Sequence, residues 1–115
     1  MRFKQFEIWT ADLSPQHGTE PGKIRPVLIV QSDLLNAVHP STIICPLTTV
    51  TRKKTLLLRI NLAKGQGGLN HKSAVMIDQL RAIDNRRLLK KIGDFPTNLL
   101  PKLRENIKIV LDLSV

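Results

Sequence analysis

Three short clusters in this 115-residue chain combine side chains able to hold a phosphate or steady a developing negative charge. The first is Gly18-Thr19-Glu20-Pro21-Gly22-Lys23-Ile24-Arg25-Pro26-Val27, where a carboxylate and a guanidinium flank a Gly/Pro loop with Lys23 between them. A guanidinium stays charged and its planar fork can grip two oxygens at once, so Arg25 suits a phosphodiester. A structural ion pair between Arg25 and Glu20 is the competing reading. The second is Cys45-Pro46-Leu47-Thr48-Thr49. A hydroxyl such as that of Thr48, at the end of an apolar strand, can donate to a phosphate oxygen or an oxyanion. Ordinary turn chemistry is the alternative. The third is Asp78-Gln79-Leu80-Arg81. On a strand, Gln79 and Arg81 share one face while Asp78 shares the other with Leu80, so an amide and a cation point the same way. A salt-bridged strand end is an equal reading.

Other chemistries fail on spacing. His17, His39 and His71 lack metal-ligand spacing, and one cysteine does not complete a zinc site. No Gly-x-Ser-x-Gly elbow is present. Gly65-Gln66-Gly67-Gly68 has the wrong spacing for a dinucleotide fingerprint and no helix follows it. The carboxylates are too scattered for a two-metal nuclease. No metal and no cofactor are expected.

The charge points to a polyanion. Lys plus Arg is 18 against 9 for Asp plus Glu, a net +9, and a field of that sign draws in nucleic acid first and an acidic protein second. Arg52-Lys53-Lys54, and Arg86-Arg87 with Lys90-Lys91, are candidate phosphate contacts. Solvated charge is the alternative for each. Aromatic residues are few (Phe3, Phe6, Trp9 and Phe95), which argues against a sheet that stacks bases on rings. Cys45 sits in an apolar run and reads as a buried thiol in a reducing compartment. No signal-peptide core and no window of ~18 apolar residues is present, so a cytoplasmic protein without membrane contact is expected.

The elements that must position these clusters are short. Residues 7–13, 25–31, 41–47, 55–62, 73–83 and 90–95 read as strands from their alternation and β-branched content. Ser32-Asp33 can cap a short turn of helix, Asp84 can open another, and Gly65 to Gly68 reads as a flexible turn. Pro96 starts a C-terminal helix with Thr97 or Asn98 as cap and an apolar stripe of Leu99, Leu103, Ile107, Val110 and Leu111. The layout is α+β and mainly β: a small barrel-like domain over residues 1–115, of five to six short antiparallel strands with one helix.

The order and spacing of the clusters resemble the MazF/PemK family of toxin endoribonucleases over nearly the whole chain. Glu7-Ile8-Trp9 with Asp12-Leu13 comes first, then Gly18-x-Glu20-x-Gly22-x-x-Arg25-Pro26-Val27-Leu28-Ile29-Val30 and Pro46-Leu47-Thr48. Ser73-x-Val75, Asp78-Gln79-x-Arg81-x-Ile83-Asp84, Arg87-Leu88 and Ile92-Gly93 follow. The resemblance implies an SH3-like barrel, a homodimer, and metal-independent, sequence-selective cleavage of single-stranded RNA that leaves 2′,3′-cyclic phosphate. It also implies a MazE-like acidic antitoxin, with DNA met only through the antitoxin complex. By position, Arg25 and Thr48 match the family's principal catalytic residues, Arg25 holding the phosphate and able to pass a proton to the leaving oxygen. Glu20 matches a loop acid and is the candidate base at the 2′-OH. Asp78, Gln79 and Arg81 fall near the RNA, and Lys23 joins them as a candidate contact. Some members carry His directly before the loop acid; here that position is Thr19, and the nearest imidazole is His17. A non-catalytic, gyrase-poison-like inhibitor of the same fold and a degenerate RNA-binding regulator are the alternatives.

Overall fold

The computed structural model describes residues 2–15, 17–19, 23–50 and 58–113. Glu20, Arg52, Lys53 and Lys54, and the start of the strand expected from Thr55, lie outside the described residues.

The frame is an antiparallel sheet of seven described strands: β1 (Glu7–Asp12), β2 (Ile24–Ile29), β3 (Ser41–Thr48), β4 (Arg59–Leu62), β5 (Ser73–Met76), β6 (Arg81–Asp84) and β7 (Leu88–Asp94). Its order is β4-β5-β3-β2-β1-β7, with β6 also paired to β3. The helix α1 (Leu100–Val110) closes the chain. The mainly β, barrel-like α+β class expected from the pattern is what forms.

Alternation along the central strands sends side chains to two apolar layers. Ile8, Leu28, Cys45, Leu47, Val75 and Ile77 bury on one face beneath Leu103. Trp9, Val27, Ile29, Ile44, Ile83 and Leu88 bury on the other with Phe3. That is why β3 is apolar on both sides, and why the Cys45 thiol is sealed. Burial, reinforced by the charge of Asp78, pushes it up to about 12.

The segment 73–83 departs from expectation. It is two strands, not one, broken by a 3-10 turn at Ile77–Gln79. β5 pairs with the end of β3 (Leu47↔Val75, Thr48↔Ala74) and β6 with its start (Ser41↔Asp84, Ile44↔Arg81). The turn takes up the shift between these two registers. It buries Ile77, whose N–H donates to the Leu58 carbonyl. The extra strand, seven rather than five or six, comes from this break.

Smaller turns follow their residues. Ser32 Oγ accepts from the Leu34 N–H at 3.1 Å, but the chain makes turns there rather than a helix, and Ala37 ends them at φ 75°. Asp84 opens the 3-10 turn Asn85–Arg87 by accepting from the Arg86 N–H, as its position suggested. Pro96 leads not into α-helix but into a 3-10 turn, Thr97–Leu99. Neither Thr97 nor Asn98 caps α1, whose N-cap is Leu99, with proline in its first turn. Leu99, Leu103, Ile107 and Val110 pack on the sheet, whereas Leu111 lies 47% exposed beyond the stripe. Among the described residues, no helix is long and apolar enough to cross a membrane.

Candidate active site

Two prolines open the sheet where the first two clusters meet. β2 and β3 pair through Ile29↔Ile44, Leu28↔Cys45 and Val27↔Pro46, and the ladder stops there. The same register, continued, sets Pro26 opposite Leu47 and Arg25 opposite Thr48. Proline has no N–H to give the ladder. The Leu47 carbonyl instead accepts from Arg25 Nη1 at 3.3 Å. Arg25 is thereby folded back over the end of β3, next to Thr48.

Both residues line one cleft of about 460 Å³, within the size range that takes small ligands. Ile24, Val50 and Ile92 give it apolar walls, and Thr10, Asn70 and His71 bring further polar groups. Arg25 is half-buried, and loss of solvent pushes its guanidinium below its ordinary pKa. It stays a cation in any protein setting, and a cation partly stripped of water gains more from an anion than one in bulk. Thr48 Oγ1 accepts from the Val50 N–H at 3.2 Å, which leaves the hydroxyl hydrogen to be donated. The pair can therefore hold a tetrahedral anion between a charged fork and a hydroxyl.

The other expected residues are spread more widely. Lys23 is exposed on the approach to β2, at φ 65°, and its carbonyl accepts from the Leu13 N–H. Asp78, Gln79 and Arg81 do not line the cleft. The 3-10 turn cancels the face-sharing that a continuous strand would give Gln79 and Arg81, and Asp78 turns toward Arg59, 3.8 Å away. Arg86 pairs with Asp84 at 3.0 Å. Arg87 Nη1 donates to the carbonyls of Asp12 and Ser14 at 2.9 and 2.6 Å, which ties down the base of the loop leading to Arg25. Glu20 and Arg52 to Lys54 belong to the loops before Arg25 and after Thr48, outside the described residues. Among the described residues, no three His, Cys, Asp or Glu side chains group as metal ligands.

His71 and Asn70 are cleft residues that reading by spacing passed over. The signal was in the glycines. A Cβ on Gly68 would fall on the Ile92 carbonyl, and one on Gly93 on the Gly67 carbonyl. The 3-10 turn Gln66–Gly68, at the place expected for a flexible turn, is packed backbone to backbone on β7, and it carries Asn70 and His71 to the cleft.

The whole chain fits this picture. Residues 4–111 match the family described as the PemK-like, MazF-like toxin of type II toxin–antitoxin systems. The chain belongs to that family. The toxin is 33% identical over 113 residues to Endoribonuclease EndoA of Bacillus subtilis strain 168, covering 98% of this chain and 97% of the relative. It is 31% identical over 109 residues to Endoribonuclease MazF of Staphylococcus saprophyticus, with 95% and 88% covered. Among solved structures, the Mycobacterium tuberculosis toxin MazF-mt6 superposes with a TM-score of 0.80 at 28% identity, over 95% of this chain and 99% of that one.

Proposed function

We propose that this toxin is a sequence-selective endoribonuclease that cuts single-stranded RNA in the cytoplasm by attack of the 2′-OH on the adjacent phosphorus. The products are 2′,3′-cyclic phosphate and 5′-OH ends, and loss of message stops translation and growth. The observation that carries this reading is the placement of Arg25 and Thr48 on one cleft at the open end of the β2–β3 ladder. The named endoribonuclease relatives support it.

The substrate brings its own nucleophile, so proximity is supplied before the protein acts. What remains is to align the 2′ oxygen and stabilise a dianionic phosphorane. Arg25 grips the phosphate and Thr48 adds a hydrogen bond to the same centre, a division of labour that needs no metal ion. Glu20 is the candidate base. Lys23, Asp78, Gln79, Arg81, Arg86, Arg87 and the Arg52-Lys53-Lys54 run are proposed to meet the RNA around the cut. Of these, Arg86 and Arg87 would have to do so from their present partners. A MazE-like acidic antitoxin fits the +9 charge, with a homodimer as the working form and DNA reached only through that complex.

The test is incubation of the protein with long single-stranded RNA in excess EDTA, followed by mapping of both ends. Cuts with cyclic-phosphate and 5′-OH ends are expected. Arg25→Ala should fold normally and lose at least about 10²-fold in rate, the usual effect of deleting one stabilising donor. Intact RNA with the parental protein overturns the reading.

A further inference from the structure

We propose that His71 is a further catalytic residue: as imidazolium, it hands a proton to the 5′ oxygen that leaves when RNA is cut. The inference rests on the RNA-cleaving reading above and deepens it.

Cleavage needs a donor as well as a base. The O2′–P bond forms as the base takes the 2′-OH proton. The P–O5′ bond breaks, its electron pair goes to the 5′ oxygen, and that oxygen must gain a proton. The resemblance lets Arg25 pass this proton, but a guanidinium holds its proton tightly in proteins, so a second, more acidic donor at the cleft would speed the step. An efficient general acid titrates near the working pH, and histidine is the side chain that changes charge between about pH 5 and 8. His71 is the one imidazole among the described residues of the cleft. His17 does not line it, and the His39 ring is engaged with the backbone of Ser41.

Position and support agree with the role. β2 and β5 flank β3 on opposite sides, so Arg25 arrives from one side, His71 from the turn into β5 on the other, and Thr48 ends the strand between. His71 is exposed and borders the cleft. Its backbone carbonyl accepts from Ser73 Oγ at 2.9 Å. The turn before it is locked by the close approach of Gly67 and Gly68 to Ile92 and Gly93, and Ala74, three residues after it, pairs with Thr48. An acid needs this kind of fixed mounting, since it must sit within hydrogen-bond reach of the oxygen it protonates. Among the described cleft residues, Arg25 is the other ionisable group. Lys72 follows His71 in sequence, and β7 beneath the turn carries Lys90, Asp94 and Lys91, the last paired to Glu7 and Asp94 at 3.0 and 3.3 Å.

The test separates this role from a merely structural one. A cut site is first mapped on long RNA, then an oligonucleotide containing it is made in two forms. One has the ordinary 5′ oxygen at the scissile bond, the other a 5′-bridging sulfur, which leaves as a thiolate (thiol pKa about 8.5) without needing a proton. His71→Ala and His71→Asn should cut the oxygen linkage about 10²–10³-fold more slowly, yet cut the sulfur linkage within about threefold of the parental rate. Parental rates on oxygen, or equal losses on oxygen and sulfur, overturn the role of His71 alone. Failure of the parental protein to cut any RNA overturns the function proposed above, and His71 with it.

Discussion

At the scale of single residues, the site works by contrast between neighbours. Pro26 leaves the Leu47 carbonyl without a ladder donor, and Arg25 turns in to supply one. That bond orients a cation already short of water, so the guanidinium would meet the phosphate of the proposed RNA substrate with little reorganisation. Thr48 offers a hydroxyl whose acceptor side is taken by the Val50 N–H. Thr48→Val keeps the shape and removes the donor. It should lower kcat by about 10²–10³-fold and shift the denaturation midpoint by less than about 1 kcal/mol equivalent. Single-turnover rates and urea unfolding read the two effects separately. A rate unchanged by this substitution would remove Thr48 from the chemistry.

At the scale of elements, the β1–β7 pair is held by more than its ladder. Glu7 has its side chain 12% exposed and lies 3.0 Å from Lys91 on β7, and Trp9 Nε1 donates to it at 3.0 Å. Burial pushes its carboxyl up, but the hydrogen bonds from Trp9, Lys91 and the Lys4 N–H outweigh that and hold it below its ordinary value. A carboxylate depressed in the fold stabilises above its unfolded pKa, and that stability drains away as pH falls through the folded value. Unfolding free energy should therefore decline below about pH 4.5, and Glu7→Gln should flatten that decline while lowering stability at pH 7 by about 1–2 kcal/mol. Thermal melts between pH 3 and 7 check both.

β7 also serves as the seat of the glycine turn. Gly93→Ala drives a methyl into the Gly67 carbonyl, and backbone on both sides leaves little room to yield. The expected cost is about 2 kcal/mol or more, with a loss of RNA cleavage as Asn70 and His71 move. A variant of parental stability would show that the clamp is slack.

At the scale of the molecule, a +9 charge on 115 residues predicts that RNA capture, on the proposed function, is an electrostatic event. If about four phosphates are neutralised, log Kobs should fall against log salt with a slope of about −3 on single strands. A DNA strand of the same sequence should bind with a similar slope and survive intact, because it lacks the 2′-OH. Fluorescence titration at several salt concentrations, with gels of the same samples, tests both parts. Binding insensitive to salt would remove the basic surface from the account.

Much of this was legible in the residues. Alternating apolar positions marked the central strands, since a side-chain period of two needs only local order to be read. The run through Ile43, Ile44 and Cys45 marked β3 as covered on both faces, and the helix stripe was visible from Leu99 to Val110. Arg25 and Thr48 stood out separately, each at the end of an apolar run. Tertiary structure decided what brought them together. The pairing Val27↔Pro46 joins stretches of chain 19 residues apart, and register across such a gap is set by packing of both apolar layers, not by propensity. The break at Ile77–Gln79 was hidden for the same reason: β3 needed two partners along one edge, and only the assembled sheet requires a turn there. His71 was the least legible, because its place depends on glycines of the 66–68 turn meeting Gly93 on β7, a contact that exists only once the backbone has closed on itself.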